Sequence, residues 1–213
     1  MIPIRDVNPT SRTAWLTLAL IAANVAIFVF WEPTFSTPAR QQEFLFCNAL
    51  VPYEVVNQTS LAEGGAEARD AIQESFGATP EDAASLQGFL RTACPEKSWL
   101  ASVFVSMFLH GSWLHLAGNM LFLWIFGNNI EDRLGRLTYG LFYVLGGLAA
   151  TGLQLAFDPT AAVPNVGASG AIAAVLGAYL VLFPNARIHT LVIFLFITFV
   201  DLPAVLVLVS WFV

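Results

Sequence analysis

Long apolar runs separated by short polar connections dominate the chain after residue 97, and one further run lies near the N-terminus. Apolar windows, free of charged residues except for Asp201 in the last one, fall at 14–31, 98–127, 137–157, 166–183 and 188–213. A membrane-spanning helix needs about 20 such residues. The second window is too long for one simple span, so we expect 98–109 to lie in the membrane interface and the helix to begin near Gly111. The pattern predicts an all-α, polytopic transmembrane helical bundle with about five helices.

The segment 32–97 interrupts this pattern, and within it residues 62–84 are rich in Ala, Glu, Asp and Gly. We expect it to be a solvated acidic loop with room for a short helix and with no chemistry of its own. It holds both cysteines, Cys47 and Cys94, and the sequence is equally compatible with a disulfide and with two thiols. The predicted organisation is an N-terminal tail at 1–13, a first transmembrane helix at 14–31, this loop at 32–97 and a membrane core at 98–213.

The arginines that flank the apolar windows predict the orientation of the chain. Lys and Arg are enriched in the short cytoplasmic connections of membrane proteins. The arginines near the ends of the windows are Arg5, Arg12, Arg133, Arg136 and Arg187, whereas the connection at 159–168 has none. The N-terminus is therefore predicted to be cytoplasmic, and the loop 32–97 and the connection 159–168 are predicted to lie on the outer side.

The composition supports a membrane protein and excludes some partners. Hydrophobic residues make up 57% of the 213 residues and charged residues only 11%, and the mean hydropathy is +0.69. The net charge of -6 comes mostly from the acidic loop. Because no basic groove is apparent, a nucleic-acid partner is not expected, and the lipid bilayer is the expected environment.

Two polar clusters stand at the heads of apolar windows, where unsatisfied polar groups are costly. One contains His110, His115 and Asn119; the other is the run Gly167-Ala168-Ser169-Gly170. His115 and Asn119 are four residues apart and share one face of a helix. The predicted topology puts both clusters on the outer side, so they are candidates for one site.

Less specific interpretations of these residues stay open at this point. Histidine and asparagine often form hydrogen bonds between membrane helices, and serine is a common N-cap. A metal site is disfavoured because no carboxylate or cysteine lies nearby in sequence. Behind Ser169, a row of small residues at helical spacing predicts close packing by another helix: Gly170, Ala174, Gly177 and Ala178.

These motifs resemble those of the rhomboid family of intramembrane serine proteases. The similar segments are His110-x4-His115-x3-Asn119, Gly127-x3-Glu131-x3-Gly135 and Gly167-Ala168-Ser169-Gly170. The head of the chain, residues 1–9, and the phrase at 107–115 are similar to bacterial members. The resemblance covers most of the chain and implies a bundle of six core helices, of which about five are present.

The resemblance also implies a function and a role for each matched residue. Ser169 would be the nucleophile, and the side chains of His115 and Asn119 would hold the oxyanion. His110 would support the loop above them, and Gly170 would let a partner helix approach. The chain is then expected to be an endopeptidase of the bacterial inner (plasma) membrane, cleaving transmembrane segments of other proteins without a cofactor or metal; its oligomeric state is left open.

The chain departs from the family at the general base. The family resemblance places a base histidine on a sixth core helix, but the only histidines here are His110, His115 and His189. We expect His189 on the cytoplasmic side, too far from Ser169 to act. The chain is therefore expected to be truncated and inactive as it stands; the alternatives are an inactive relative that binds membrane-protein clients and, less favoured, a small transporter.

The last apolar window allows two structures. Asp201-Leu202-Pro203 is typical of a helix start, with the proline near the first helical position and the acidic residue at the positive end. Alternatively, one kinked helix spans 188–213 and buries Asp201, which would make that residue a functional candidate. The first structure is preferred because an unpaired buried carboxylate is costly.

Overall fold

A computed structural model describes residues 2–193 and 197–212 of the chain. Its residues cluster into two compact units. The first comprises Met1–Ala22, Ala117–Gly147 and Ala171–Val213, and the second comprises Ala23–Leu116 and Leu148–Gly170. The fold is mainly helical, which confirms the predicted class, and it adds a small sheet that the sequence did not predict.

The elements follow one another along the chain with short connections. In chain order they are β1 (Ile2–Asp6), α1 (Trp15–Ala26) with a π-helical continuation (Ile27–Trp31), α2 (Pro38–Asn48), α3 (Pro52–Asn57), α4 (Gly65–Phe76), α5 (Pro80–Ala93), α6 (Trp99–Val105) with a 3-10 turn (Ser106–Phe108), α7 (Trp113–Leu134), α8 (Arg136–Phe157), α9 (Ser169–Leu182), β2 (Arg187–Ile193), β3 (Ile197–Pro203) and α10 (Ala204–Phe212).

The first unit contains a three-stranded antiparallel sheet in the order β1-β2-β3. Strand β2 buries Ile188 and Thr190 while Arg187 is exposed, the alternation of a half-buried strand. His189 faces Asp201 across the β2–β3 pair, and His189 Nδ1 lies 2.8 Å from Asp201 Oδ1. The kinked helix over 188–213 is therefore wrong, because much of that window forms strands and Asp201 is half-exposed beside His189.

The start of α1, also in the first unit, is held by a buried carboxylate from α7. Glu131 is 3% exposed and accepts the backbone N–H groups of Leu16 at 3.0 Å and Thr17 at 2.7 Å. A Cβ added at Gly127 would stand 2.7 Å from the Tyr139 hydroxyl, so only glycine fits there. Gly135 ends helix α7 with a φ of +79°, which favours glycine. The Gly127-x3-Glu131-x3-Gly135 motif thus secures the start of one helix and terminates another.

In the second unit, the segment predicted as a solvated loop folds into helices α2 to α5 with their own apolar core. An N-cap threonine followed by proline starts two of these helices: Thr37 accepts the Arg40 N–H and Thr79 accepts the Asp82 N–H. The core between them contains Phe46, Val51, Tyr53, Leu61, Ala62, Ala68, Ala71, Ile72, Ala83, Leu90 and Ala162. We call residues 38–97 the cap; describing them as a merely solvated loop was wrong.

Two further interactions hold the cap together. Cys47 and Cys94 form a disulfide, which decides between the two states that the sequence allowed. Lys97 Nζ lies 2.5 Å from Glu54 Oε2, and both side chains are 3% exposed. Burial lowers the pKa of Lys97, and the adjacent Glu54 carboxylate opposes that shift. At least one acidic residue of this segment, Glu54, is therefore buried in the cap and not exposed to solvent.

The described residues contain few helices long enough to cross a bilayer. Helix α8 has the required length and apolar character, and a second span results if α6 with its 3-10 turn and α7 count as one element bent by 73°. Helix α1 with its π-helical continuation, and helix α9, are apolar but shorter. The bend separates the segment predicted in the interface from the helix that follows it.

Candidate active site

The second unit brings together His110, His115, Gly167 and Ser169, which the sequence placed in two separate clusters. Ser112 starts helix α7 by accepting the backbone N–H of His115 at 3.2 Å. The rings of His110 and His115 lie 5.1 Å apart, centroid to centroid. The bend before α7 thus places both histidines at the head of that helix.

Gly167 is the point at which the two clusters meet. Its φ of +126° lies in a region that residues with a side chain rarely adopt. A Cβ built there would stand 2.9 Å from His115 Nε2 and 3.4 Å from Ser169 Oγ. The absence of a side chain at Gly167 therefore lets His115 Nε2 and Ser169 Oγ approach the same point.

Ser169 is the first residue of helix α9. The residue before it, Ala168, is fully buried. No described residue forms a hydrogen bond with the Ser169 hydroxyl, and the side chain is only partly buried. The backbone N–H groups of the first turn of a helix carry partial positive charge. A nucleophile at this position would have an oxyanion-stabilising field beside it.

His110 is fixed in place by the carboxylate of Glu32, which the sequence pattern placed only in the acidic loop. Its side chain is 1% exposed, its backbone N–H donates to Glu32 Oε1 at 3.0 Å, and its ring Nδ1 lies 3.2 Å from the carbonyl oxygen of Phe108. Burial raises the pKa of Glu32 to about 7, although the His110 N–H opposes that shift. Glu32 directly follows the π-helical turn, a local signal that favours a functional position.

Asn119 and Gly170, the remaining candidates, lie on the predicted elements. Asn119 is one turn beyond His115 on α7 and is 4% exposed, and Gly170 is the second residue of α9. Further along α9, the Cβ of Ala174 would overlap a Cβ added at Gly146, so α8 packs closely there. A Cβ added at Gly177 would meet no atom within 4 Å among the described residues. The row of small residues is therefore crowded at one position and open at another.

Ser106 is a second residue near the site that the sequence pattern did not predict. It is 7% exposed; its hydroxyl accepts the Leu50 N–H, and its carbonyl accepts the Gly167 N–H at 2.9 Å. The available signal was a serine within the apolar window at 98–109. In the part of the chain that the structure describes, no three His, Cys, Asp or Glu residues are grouped to hold a metal ion.

Comparison with known proteins identifies the fold family. The family described as Rhomboid domain matches residues 97–213. RHOMBOID-like protein 5 of Arabidopsis thaliana is 28% identical over 173 residues, covering 81% of this chain and 52% of that protein. Rhomboid protein 1, mitochondrial, of Saccharomyces cerevisiae is 36% identical over 91 residues, covering 41% of this chain and 26% of that protein.

A mammalian relative is also similar. Rhomboid-related protein 2 of Mus musculus is 38% identical over 89 residues, covering 41% of this chain and 29% of that protein. The chain spans about half the length of these curated relatives, or less. No solved structure matches it. The family match extends over more than half of the chain and includes both polar clusters, and the chain therefore belongs to the rhomboid family, whose members are embedded in membranes.

Proposed function

We propose that this protein acts as an intramembrane serine endopeptidase with Ser169 as the nucleophile. The observation that carries the proposal is the convergence of His115 Nε2 and Ser169 Oγ on one point beside Gly167, 2.9 Å and 3.4 Å from the position that a Cβ would take there. A carbonyl oxygen that becomes negatively charged during attack needs hydrogen-bond donors and a nearby nucleophile. Both kinds of group are supplied here by residues at the starts of two helices.

In the proposed reaction, Ser169 Oγ attacks the carbonyl carbon of the scissile peptide bond and transfers its proton to a general base. The oxyanion accepts hydrogen bonds from the Ser169 backbone N–H and from the side chains of His115 and Asn119. The C–N bond then breaks as the base returns the proton to the leaving amine. Water hydrolyses the resulting acyl-enzyme and restores the Ser169 hydroxyl.

The general base is proposed to be a histidine of a sixth core helix, outside residues 1–213. Serine needs such a base near neutral pH. His189 pairs with Asp201 in the sheet, and His110 is buried against the loop before α7. His115 is assigned to the oxyanion, so the proposed dyad requires a histidine from further sequence.

The proposed substrates are transmembrane segments of other membrane proteins, and the proposed location is a bacterial inner membrane with a cytoplasmic N-terminus. The placement of arginines supports the orientation. The disulfide of the cap supports an oxidising compartment on the outer side. Some relatives are named as mitochondrial or chloroplastic proteins, so the kind of membrane is a proposal from the sequence alone.

A cleavage assay tests the proposal. The whole gene product, purified and returned to liposomes, is incubated with a reference substrate that carries one transmembrane segment. We expect Ser169→Ala to abolish cleavage and Ser36→Ala, an exposed serine in a turn, to leave it unchanged. Equal activity of the wild type and Ser169→Ala would refute the protease.

A second candidate function is the binding of membrane-protein clients without cleavage. It is favoured by one observation, the absence from the 213-residue sequence of a histidine other than His110, His115 and His189. The same liposome experiment separates the two functions. A whole gene product that retains the substrate segment in a pull-down, but does not cleave it, would support the binding protein.

A further inference from the structure

The connection between α8 and α9, which leads directly into Ser169, is fastened to the cap. The Tyr53 N–H donates to the Ala161 carbonyl at 3.0 Å, and the Ala162 N–H donates to Ser75 Oγ at 2.8 Å. The Asn165 N–H donates to the Leu50 carbonyl at 2.7 Å. The connection is therefore hydrogen-bonded to α3, to α4 and to Leu50, which lies between α2 and α3.

Side-chain packing joins the same two segments. Ala162 is fully buried and belongs to the apolar core of the cap, although it follows helix α8 in the chain. Leu50 is 1% exposed and forms an antiparallel bridge with Asn165. Movement of the connection would expose this packing and break the bridge. The cap and the approach to Ser169 thus form one packed structure.

Ser106 forms hydrogen bonds with both segments. Its hydroxyl accepts the Leu50 N–H, and Leu50 in turn accepts the Asn165 N–H. Its own carbonyl accepts the N–H of Gly167, two residues before the nucleophile. Because the Leu50 N–H is buried, loss of the Ser106 hydroxyl would leave it without an acceptor. Ser106 therefore holds Gly167 directly and holds Asn165 through Leu50.

The cap itself is suited to act as a fixed support. The disulfide closes the segment between Cys47 and Cys94, and the Lys97–Glu54 ion pair is buried beside it. Glu54 also accepts the Leu61 N–H at 2.9 Å, which fixes the turn between α3 and α4. A support of this kind limits the conformations open to the connection that it holds.

From these contacts we infer that the cap positions the nucleophile and that Ser106 is the positioning residue through which it acts. The inference rests on the proposed function of Ser169. Ser106 holds Gly167, whose backbone geometry leaves room for His115 Nε2 beside Ser169 Oγ. Release of Ser106 disorders the bend and separates those two atoms, while the residues that touch the substrate stay unchanged.

Hydrogen exchange measured by mass spectrometry tests the inference in the 213-residue protein in detergent micelles, without any need for activity. In Ser106→Ala, we expect the amides of 165–167 to exchange about tenfold faster than in the wild type. Ser106→Thr, which keeps a hydroxyl acceptor, restores slow exchange. The matched control is Ser98→Ala, which removes an exposed hydroxyl that accepts the Ala101 N–H at the start of α6. Equal exchange in Ser106→Ala and Ser98→Ala would overturn the inference.

Reduction of the disulfide provides a second measurement that does not depend on the folding of a variant. When Cys47–Cys94 is reduced in the wild type, we expect faster exchange in the cap and in 159–168 together. Faster exchange in the cap with unchanged exchange in 159–168 would also overturn the inference.

The whole gene product then distinguishes this inference from the proposed function. If it cleaves the reference substrate, Ser106→Ala should lower kcat about tenfold or more and leave KM within about twofold. An unchanged kcat would contradict positioning even though the protease is real. If nothing is cleaved, the exchange data still decide whether the cap holds the connection.

Discussion

At the scale of single residues, Gly167 has the least tolerance for substitution in the candidate site. Its φ of +126° and the 2.9 Å approach of the His115 ring both exclude a side chain. The conformation is held by the hydrogen bond from its N–H to Ser106. The glycine is thus needed for backbone shape and for the space between the functional atoms.

We predict opposite effects for two glycine substitutions in the second unit. Gly167→Ala should destabilise the protein by about 1–3 kcal/mol through backbone strain. Gly88→Ala, at an interior position of α5 where an added Cβ would meet no atom within 4 Å, should stabilise it by about 1 kcal/mol because alanine favours helix. Thermal unfolding of both variants in detergent measures the difference. A Gly167→Ala variant as stable as the wild type would show that the geometry at Gly167 is not constraining.

Glu32 makes a residue-scale prediction about pH. The residue is 7% exposed, and burial raises the pKa of its carboxyl group from 4.5 to about 7. A raised pKa means that the folded protein binds the proton more tightly than the unfolded chain does. The contribution of Glu32 to the free energy of unfolding is therefore complete below pH 4.5 and is lost as pH rises through about 7. The loss amounts to about 3 kcal/mol.

Glu32→Gln isolates that contribution because the amide oxygen can still accept the His110 N–H. Between about pH 5 and about pH 8, we expect the stability of Glu32→Gln to rise by about 3 kcal/mol relative to that of the wild type. Glu63→Gln, an exposed carboxylate elsewhere in the cap, is the control and should keep the wild-type slope. Identical slopes for wild type and Glu32→Gln would contradict the burial argument.

At the scale of elements, the attachment of α1 to α7 depends on Glu131. Its carboxylate replaces the missing acceptors for the first N–H groups of α1 and also accepts the Thr17 hydroxyl at 2.8 Å. We predict that Glu131→Ala lowers the free energy of unfolding by about 2 kcal/mol or more. Asp132→Ala, which removes the neighbouring exposed carboxylate bonded to Ser11, should have a smaller effect. Chemical denaturation of the two variants makes the comparison, and equal losses would argue against this role of Glu131.

The cap is the second element whose stability can be measured directly. Its disulfide joins residues 47 apart in sequence. In the chain-entropy treatment, a closed loop of that size stabilises the folded state by about 4 kcal/mol. Cys47→Ser with Cys94→Ser should lower stability by an amount of that order, and reduction of the wild type should reproduce the effect. An electrophoretic mobility that does not respond to a reducing agent would show that the bond does not form.

At the scale of the whole molecule, helix positions could be predicted more readily than internal polar structure. Apolar windows and their breaks predicted the helices that carry His115 and Ser169. The strands β2 and β3 were missed because a continuous run such as Thr190-Leu191-Val192-Ile193 has no period that separates a buried strand from a helix.

The cap was missed for a different reason. Its core residues, such as Leu61, Ile72 and Leu90, are dispersed among acidic and small residues on separate short elements. The contacts of Glu32, Glu54 and Ser106 join residues far apart in sequence, so composition assigned both carboxylates to solvent. Proximity of Ser169 to His115 was predictable only because topology placed both helix starts on one side.

The final prediction concerns what residues 1–213 can do when they are expressed alone. The Ser169 hydroxyl has no described hydrogen-bond acceptor, and a fluorophosphonate reacts only with a serine whose proton can be removed. We predict no labelling of Ser169 in this chain and Ser169-dependent labelling in the whole gene product. Ser169→Ala is the control in both proteins.

One outcome would change the assignment of roles within the site. Labelling of residues 1–213 that is lost in His115→Ala would mean that His115 removes the serine proton, because its Nε2 borders the same space as Ser169 Oγ. His110→Ala distinguishes this chemistry from a loss of local structure, since it alters the neighbouring ring without removing Nε2 of His115. Labelling that survives in His110→Ala and fails in His115→Ala would identify a base within this chain and remove the need for a sixth helix.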